Sequence, residues 1–202
     1  MWGRRLVLAS SVAVLVLCGA TSKVSGDTDG RASGDSAAVM RTTVTGTVGG
    51  LAVPTADTVA FIRPIDHAFG PFTSNGVEIS ISNLGGSCAL AQRKVKPPSG
   101  AWLKLVVMSP DAIVPGTYGI SARQDAASTT GVVTFTTSDT GCREGTKIRG
   151  ARSGSIVLTT VNPTTVEGTF SVTMATGEGL SGTFRAPVCD GPAGAGTFAC
   201  GP

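Results

Sequence analysis

Aromatic residues, charged residues and histidine are all scarce in this chain of 202 residues. Aromatics make up 5% and charged residues 14%, and the only histidine is His67. With one histidine and no C-x2-C spacing, a structural zinc site is not expected. The sequence also has no G-x-S-x-G nucleophile motif and no D-x-D-x-D-G calcium loop. We therefore predict no catalytic residue, no metal ion and no cofactor.

His67 follows Asp66, so a general base oriented by a carboxylate is conceivable. Adjacent residues rarely point the right way for that, and no nucleophile motif accompanies them. We interpret His67 as a loop residue between Ile65 and Phe69. The alternative function is an envelope hydrolase whose dispersed carboxylates are brought together by the fold.

The formal net charge of +3 does not indicate that the protein binds nucleic acid. Arg4 and Arg5 belong to a segment that we expect to be removed, which leaves 14 Lys and Arg against 13 Asp and Glu, or about +1. A nucleic-acid-binding domain would carry a much larger excess of basic residues. We predict no nucleic-acid partner.

The first 20 residues predict export. A basic start is followed by an uncharged run of 12 residues from Leu6 to Leu17, which is a signal-peptide core and too short to span a bilayer. Leu15-Val16-Leu17-Cys18 resembles a bacterial lipobox, in which the cysteine is acylated and becomes the mature N-terminus. Leu17 departs from that pattern, which usually has Gly, Ala or Ser there. Ordinary signal cleavage after Ala20 is the alternative.

Three segments follow from this interpretation: a signal peptide at 1–17, a flexible tether at 18–38 and a β domain at 39–202. Residues 19–38 are mostly Gly, Ser, Thr, Ala and Asp, with almost nothing to bury. The whole resembles the small exported lipoproteins of bacteria, which carry a signal peptide, a tether and a disulfide-linked β domain. That resemblance is specific only near the N-terminus. It implies a membrane partner through the lipid on Cys18 and a location in the cell envelope, either anchored at the outer membrane or secreted into the periplasm or beyond, and it implies no activity.

Four further cysteines are an even number in an exported chain and so predict two disulfides among Cys88, Cys142, Cys189 and Cys200. Three connectivities are possible. We favour Cys88 with Cys142 and Cys189 with Cys200, because the second pair would clamp the Gly- and Pro-rich C-terminus.

Short alternating strands predict an all-β domain, an antiparallel β-sandwich of about nine strands, with a small β-barrel as the alternative. The strands follow one another at 10–20 residues, and no helical periodicity is evident. Parallel sheets would need helical crossovers that no segment provides. Pro64 is expected to end the second strand, and 83–100 is expected to be the least regular part of the chain.

The triplet Gly-Thr-Phe occurs at 168–170 and again at 182–184, in two strands that we expect to form a hairpin. Directly opposed residues share a face, so even-numbered positions must oppose even-numbered ones and the tip must contain an odd number of residues. A tip at 177–179, with Gly179 left-handed, would pair Val172 with Phe184. A tip at 175–179 would pair Phe170 with Phe184.

Two basic clusters lie in predicted loops near cysteines. The first contains Arg93, Lys94 and Lys96, and the second contains Arg143, Lys147, Arg149 and Arg152. If Cys88 bonded Cys142, the clusters would converge on one patch that could bind lipid head groups or an acidic glycan. Our function hypothesis is an exported, lipid-anchored, non-enzymatic binding or structural module with an unknown protein or glycan ligand. A surface-coat or adhesive component is a further alternative.

Overall fold

The computed structural model describes residues 41–53, 55–66, 73–96, 98–121, 128–145, 149–191 and 199–201. These residues belong to the second of two units into which the chain divides, Ala38–Pro202. The predicted signal peptide, Cys18 and the tether lie outside the described residues, and so does His67. The segment boundaries at 17 and 38 stay predictions.

The described part of the chain consists mostly of β-strands and contains one short helix, in agreement with the all-β prediction. In chain order its elements are β1 (Thr43–Val48), β2 (Leu51–Ala52), β3 (Asp57–Asp66), β4 (Thr73–Ser82), α1 (Ser87–Gln92), β5 (Val95–Lys96), β6 (Ala101–Ser109), β7 (Gly116–Gly119), β8 (Thr130–Thr137), β9 (Arg149–Val161), β10 (Thr165–Met174), β11 (Gly179–Pro187) and β12 (Ala199–Cys200).

Apart from β5 and β12, which form a separate two-stranded sheet, the strands form one curled antiparallel sheet, a half-barrel. Its order is β2-β1-β11-β10-β9-β8-β6-β4-β3, and β7 pairs with β9 beside this path. The all-β antiparallel prediction is therefore confirmed, and the arrangement lies between the sandwich that we favoured and the barrel alternative. Strand β9 joins two groups of strands, one made of β3, β4, β6 and β8 and the other of β1, β2, β10 and β11. Its start pairs with β8 at Gly150, and it pairs with β10 from Ala151 to Val161.

The two groups also meet at their other edge. The end of β11 reaches β3 through a parallel bridge between Val188 and Ala60, and the Cys189 amide donates a 2.8 Å hydrogen bond to the Ala60 carbonyl. The concave face is filled by one cluster of buried side chains from both groups, among them Ile79, Leu105 and Phe184. Burial of this apolar surface is what drives the sheet to curl.

The hairpin of β10 and β11 confirms the parity argument and corrects both predicted registers. Even residues oppose even residues, and Val172 pairs with Leu180. The tip has an odd number of residues, 175–177, and Gly177 (φ 99°), rather than Gly179, is the left-handed residue. The turn closes as the Gly177 amide donates to the Met174 carbonyl at 2.9 Å.

In this register the two Gly-Thr-Phe triplets lie opposite each other and run in opposite directions, which explains why it is adopted. Gly168 opposes Phe184 and Phe170 opposes Gly182, with Thr169 opposite Thr183 between them. Each ring lies over the glycine across from it: a Cβ on Gly168 would lie 2.8 Å from Phe184 Cζ, and one on Gly182 would lie 2.9 Å from Phe170 Cε1. Aromatic rings that cover cross-strand glycines recover apolar burial that the glycines do not provide.

One other expectation was wrong. Pro64 does not end a strand, since β3 continues to Asp66. It is tolerated because β3 is the last strand of the sheet order, where a missing N–H costs no ladder hydrogen bond. Within 83–100, the segment expected to be the least regular, the structure contains the six-residue helix α1 and the two-residue strand β5.

Candidate functional site

Both disulfides differ from the pairing that we favoured. Cys88 is bonded to Cys189 (Cα–Cα 5.7 Å), and Cys142 is bonded to Cys200 (Cα–Cα 5.6 Å). The first ties the C-terminal segment to α1 and the second ties it to the turn at 139–145, so the C-terminus is held by two partners rather than closed on itself. The prediction that all four cysteines form disulfides is confirmed.

The first disulfide follows from the meeting of β3 with β11. Cys189 comes one residue after the Val188 bridge to Ala60. On the other side, the Asp57 carboxylate at the start of β3 accepts a 2.7 Å hydrogen bond from the Ser87 amide and so fixes the first residue of α1. These two contacts therefore place both cysteines near the start of β3.

The second disulfide follows from a two-residue parallel pairing of β12 with β5. The Ala199 amide donates to the Lys94 carbonyl and the Gly201 amide to the Lys96 carbonyl, each at 3.0 Å. Cys142 Sγ lies 3.1 Å from the same Lys96 carbonyl. We call the assembly of α1, β5, β12, the 139–145 turn and the two disulfides the disulfide end.

Unusual backbone conformations concentrate in this region. Among the described residues, the non-glycine positions with positive φ are Lys94 (54°), Ser99 (55°) and Cys142 (60°), which lie in or next to the disulfide end. The 139–145 turn is held by the Asp139 carboxylate, which accepts hydrogen bonds from the Gly141 and Arg143 amides at 2.9 Å each. Such conformations persist where the surrounding structure fixes them, and they tend to cluster at functional sites.

The disulfide end brings the two predicted basic clusters together, although not through the disulfide that we expected. Lys96 of the first cluster pairs with Glu144 in the turn of the second at 2.9 Å. Arg93, Lys94 and Arg143 have exposed side chains, and Arg152 is exposed on β9. Of the remaining members, Arg149 starts β9 and only its backbone is described, while Lys147 lies outside the described residues.

Within 87–96 and 139–145, four cations (Arg93, Lys94, Lys96 and Arg143) stand against two carboxylates (Asp139 and Glu144), a local charge of about +2. Both carboxylates are occupied. The Asp139 carboxylate accepts hydrogen bonds within its own turn, and Glu144 forms an ion pair with Lys96. The exposed positive charge therefore belongs to Arg93, Lys94 and Arg143.

Most of the other described carboxylates also form ion pairs or hydrogen bonds within the domain. Glu78 binds Arg63 at 2.6 Å and Lys104 at 3.6 Å, and Glu167 binds Arg185 at 3.2 Å. Glu178 accepts a 2.6 Å hydrogen bond from the Gly49 amide. In the part of the chain that the structure describes, no group of three His, Cys, Asp or Glu residues could hold a metal ion.

A shallow depression of about 460 Å³ lies on the sheet around Ser171 and Ser181. It is bordered by Gly46 (φ 112°) and Gly154 (φ 122°), which bend the strands on either side of the hairpin. Its lining consists of hydroxyls, backbone and the flanks of Val172 and Leu180, with no charged or aromatic side chain. Nothing in it favours a particular ligand, and we do not assign it a role.

Among the described residues, no helix is both long enough and apolar enough to cross a membrane. The fold and the two disulfides define a disulfide-bonded all-β protein of a non-cytoplasmic compartment. Comparisons of this chain with protein-family models, with curated proteins and with solved structures find no match.

Proposed function

We propose that this protein is an exported, non-enzymatic binding module of the cell envelope, anchored by a lipid on Cys18, and that it binds an anionic ligand through its disulfide end. The observation that carries the proposal is the presence of Arg93, Lys94 and Arg143 as exposed cations on a surface that two disulfides cross-link. The anchor rests on the lipobox-like segment ending at Cys18.

The construction of the surface supports binding. The backbone that carries Lys94 and Lys96 is fixed by β12, and the backbone at Arg143 is fixed by Asp139. A ligand would therefore have to order only side chains, so less conformational entropy is lost on binding. Because exposed cations attract anions at long range, the surface would also speed association at low ionic strength.

The state of the carboxylates supports a non-enzymatic role. A hydrolase of the predicted kind needs two carboxyl groups facing one cleft. Glu78, Glu144 and Glu167 are each engaged with a cation, and Asp57 is engaged with backbone amides at the start of β3 and of α1.

Binding to an anionic polymer should depend on where cations are removed, not only on how many. We compare Lys94→Asn/Arg143→Gln with Lys104→Gln/Arg185→Gln, each of which loses two positive charges. Asn is chosen at position 94 because it tolerates positive φ. On heparin, the first variant should elute at clearly lower salt, and its slope of log K against log salt should fall by one to two.

The control variant should elute close to the wild type, because Lys104 and Arg185 are not part of the disulfide end and each is already paired with a glutamate. Circular dichroism checks that both variants are folded. Equal losses in the two variants would show that binding follows net charge alone, and the proposed surface would be wrong.

Acylation at Cys18 is tested by metabolic labelling with a palmitate analogue. The wild-type chain should be labelled and should fractionate with membranes, whereas Cys18→Ala should carry no label and should be released, because no other cysteine follows the hydrophobic run directly. Label that persists in Cys18→Ala would exclude the anchor.

A further inference from the structure

We infer that the anionic ligand of the disulfide end is the head-group surface of the membrane that holds the anchor, so that the domain lies with this end against the bilayer. The inference rests on the proposed function and adds the identity of the ligand and the orientation of the domain. It depends on where the chain enters the sheet, which the sequence does not reveal.

The chain enters the described domain beside the end of β11. Thr43 pairs with Thr183, the Thr183 hydroxyl donates to the Arg41 carbonyl at 2.8 Å, and the Arg185 amide donates to the Thr42 hydroxyl at 3.4 Å. Any tether that ends before Arg41 therefore attaches at the end of the sheet where β11 runs into Cys189.

From there the distance to the cations is short. Four extended residues lead from Arg185 to Cys189 and span at most about 14 Å. The disulfide to Cys88 adds 5.7 Å between Cα atoms. Five helical residues from Cys88 to Arg93 add about 7.5 Å. The entry point and the Arg93 backbone are thus less than about 30 Å apart.

The predicted tether matches this distance. Its 20 residues, 19–38, are rich in Gly, Ser and Asp, and a flexible chain of that length has an r.m.s. end-to-end distance of about 25 Å. An acyl group on Cys18 would hold the entry point that close to the bilayer surface, which is near enough for the disulfide end to reach it.

Charge then selects the face that turns toward the bilayer. Each Lys or Arg that reaches an anionic membrane surface strengthens binding about fivefold, and an acyl chain combined with basic residues is a common form of membrane attachment. The outer positions of the hairpin offer no comparable attraction. They are Thr169, Ser171, Thr173, Ser181 and Thr183, bordered by the ion pair of Glu167 with Arg185.

Hydrogen exchange on the full acylated chain in nanodiscs tests the inference. One set of discs contains phosphatidylcholine alone, and the other contains about one third phosphatidylglycerol. With the anionic lipid, amides of 87–96 and 139–145 should exchange at least about threefold more slowly, and those of 111–114, which follow the far end of β6, should not change. Lys94→Asn/Arg143→Gln should lose this protection, and Lys104→Gln/Arg185→Gln should keep it.

Equal exchange in the two kinds of disc, or protection at 111–114 instead, would overturn the inference. Retention on heparin without any response to phosphatidylglycerol would overturn it while leaving the proposed anionic ligand in place. If Cys18 carries no lipid, the soluble exported chain is offered to the same discs. Protection of the same segments would then support the head-group ligand, and its absence would overturn it.

Discussion

Replacing Gly168 with alanine should destabilise the domain by about 3 kcal/mol or more, the upper range for overpacking a well-packed site. A Cβ at this position would lie 2.1 Å from the Val157 carbonyl oxygen and 2.8 Å from Phe184 Cζ. The carbonyl belongs to the backbone of β9 and cannot rotate away, so strand pairing itself must shift. For a domain of this size the midpoint of thermal unfolding should fall by about 6–12 °C.

Gly179→Ala in the same hairpin is the matched control. Gly179 opposes Thr173 in the ladder, and a Cβ there would meet nothing within 4 Å. Since alanine restricts the unfolded chain more than glycine does, this variant should be neutral or more stable by up to about 1 kcal/mol. Denaturant unfolding of both variants gives the comparison. Equal stability of Gly168→Ala and the wild type would contradict the register in which each ring covers a glycine.

Removing the Cys88–Cys189 disulfide should have the largest effect. This bond closes a loop of 101 residues, and the chain-entropy relation gives about 4.7 kcal/mol for a loop of that length. Cys189 is also buried, so the Cys88→Ala/Cys189→Ala variant leaves space next to the Ala60 bridge. We expect this variant to unfold at much lower denaturant concentration than the wild type, or to fail to accumulate.

The Cys142→Ala/Cys200→Ala variant is the natural comparison. Its loop spans 58 residues, and the same relation gives about 4 kcal/mol. Cys200 is exposed and β12 has two residues, so the loss should be confined to the disulfide end and the main sheet should keep its circular dichroism. If this variant lost more structure than the Cys88→Ala/Cys189→Ala variant, the roles assigned to the two bonds would be reversed.

The hairpin shows what periodicity can and cannot predict. Alternation assigned the buried face correctly, since Val166, Phe170, Val172, Met174, Leu180 and Phe184 are all buried, and parity fixed an odd tip. Moving the register by two residues leaves every side chain on its face, so alternation could not choose among odd tips. The deciding contact is each ring against the glycine opposite it, and the repeated Gly-Thr-Phe triplet was the signal that could have found it.

The disulfides show a different limit. The number of bonds followed from the even count of cysteines after Cys18 and from the expectation of export, but the pairing depends on the closure of β11 onto β3 at Ala60. That contact joins residues more than 100 positions apart and leaves no local pattern. The candidate site has the same limit. The sequence shows the basic residues as two clusters, but the contact between the clusters, Lys96 with Glu144, depends on the pairing of β12 with β5.

The central claim is that the bonds Cys88–Cys189 and Cys142–Cys200 assemble the cationic surface, and non-reducing peptide mapping tests it most directly. No Lys or Arg lies between Cys189 and Cys200, so trypsin leaves both in one C-terminal peptide. The structure predicts one species in which this peptide is joined to the peptides of Cys88 and Cys142. Further cleavage after Phe198 should leave the Cys200 fragment on the Cys142 peptide alone. A Cys88 peptide joined only to the Cys142 peptide, beside an internally bridged C-terminal peptide, would contradict the account.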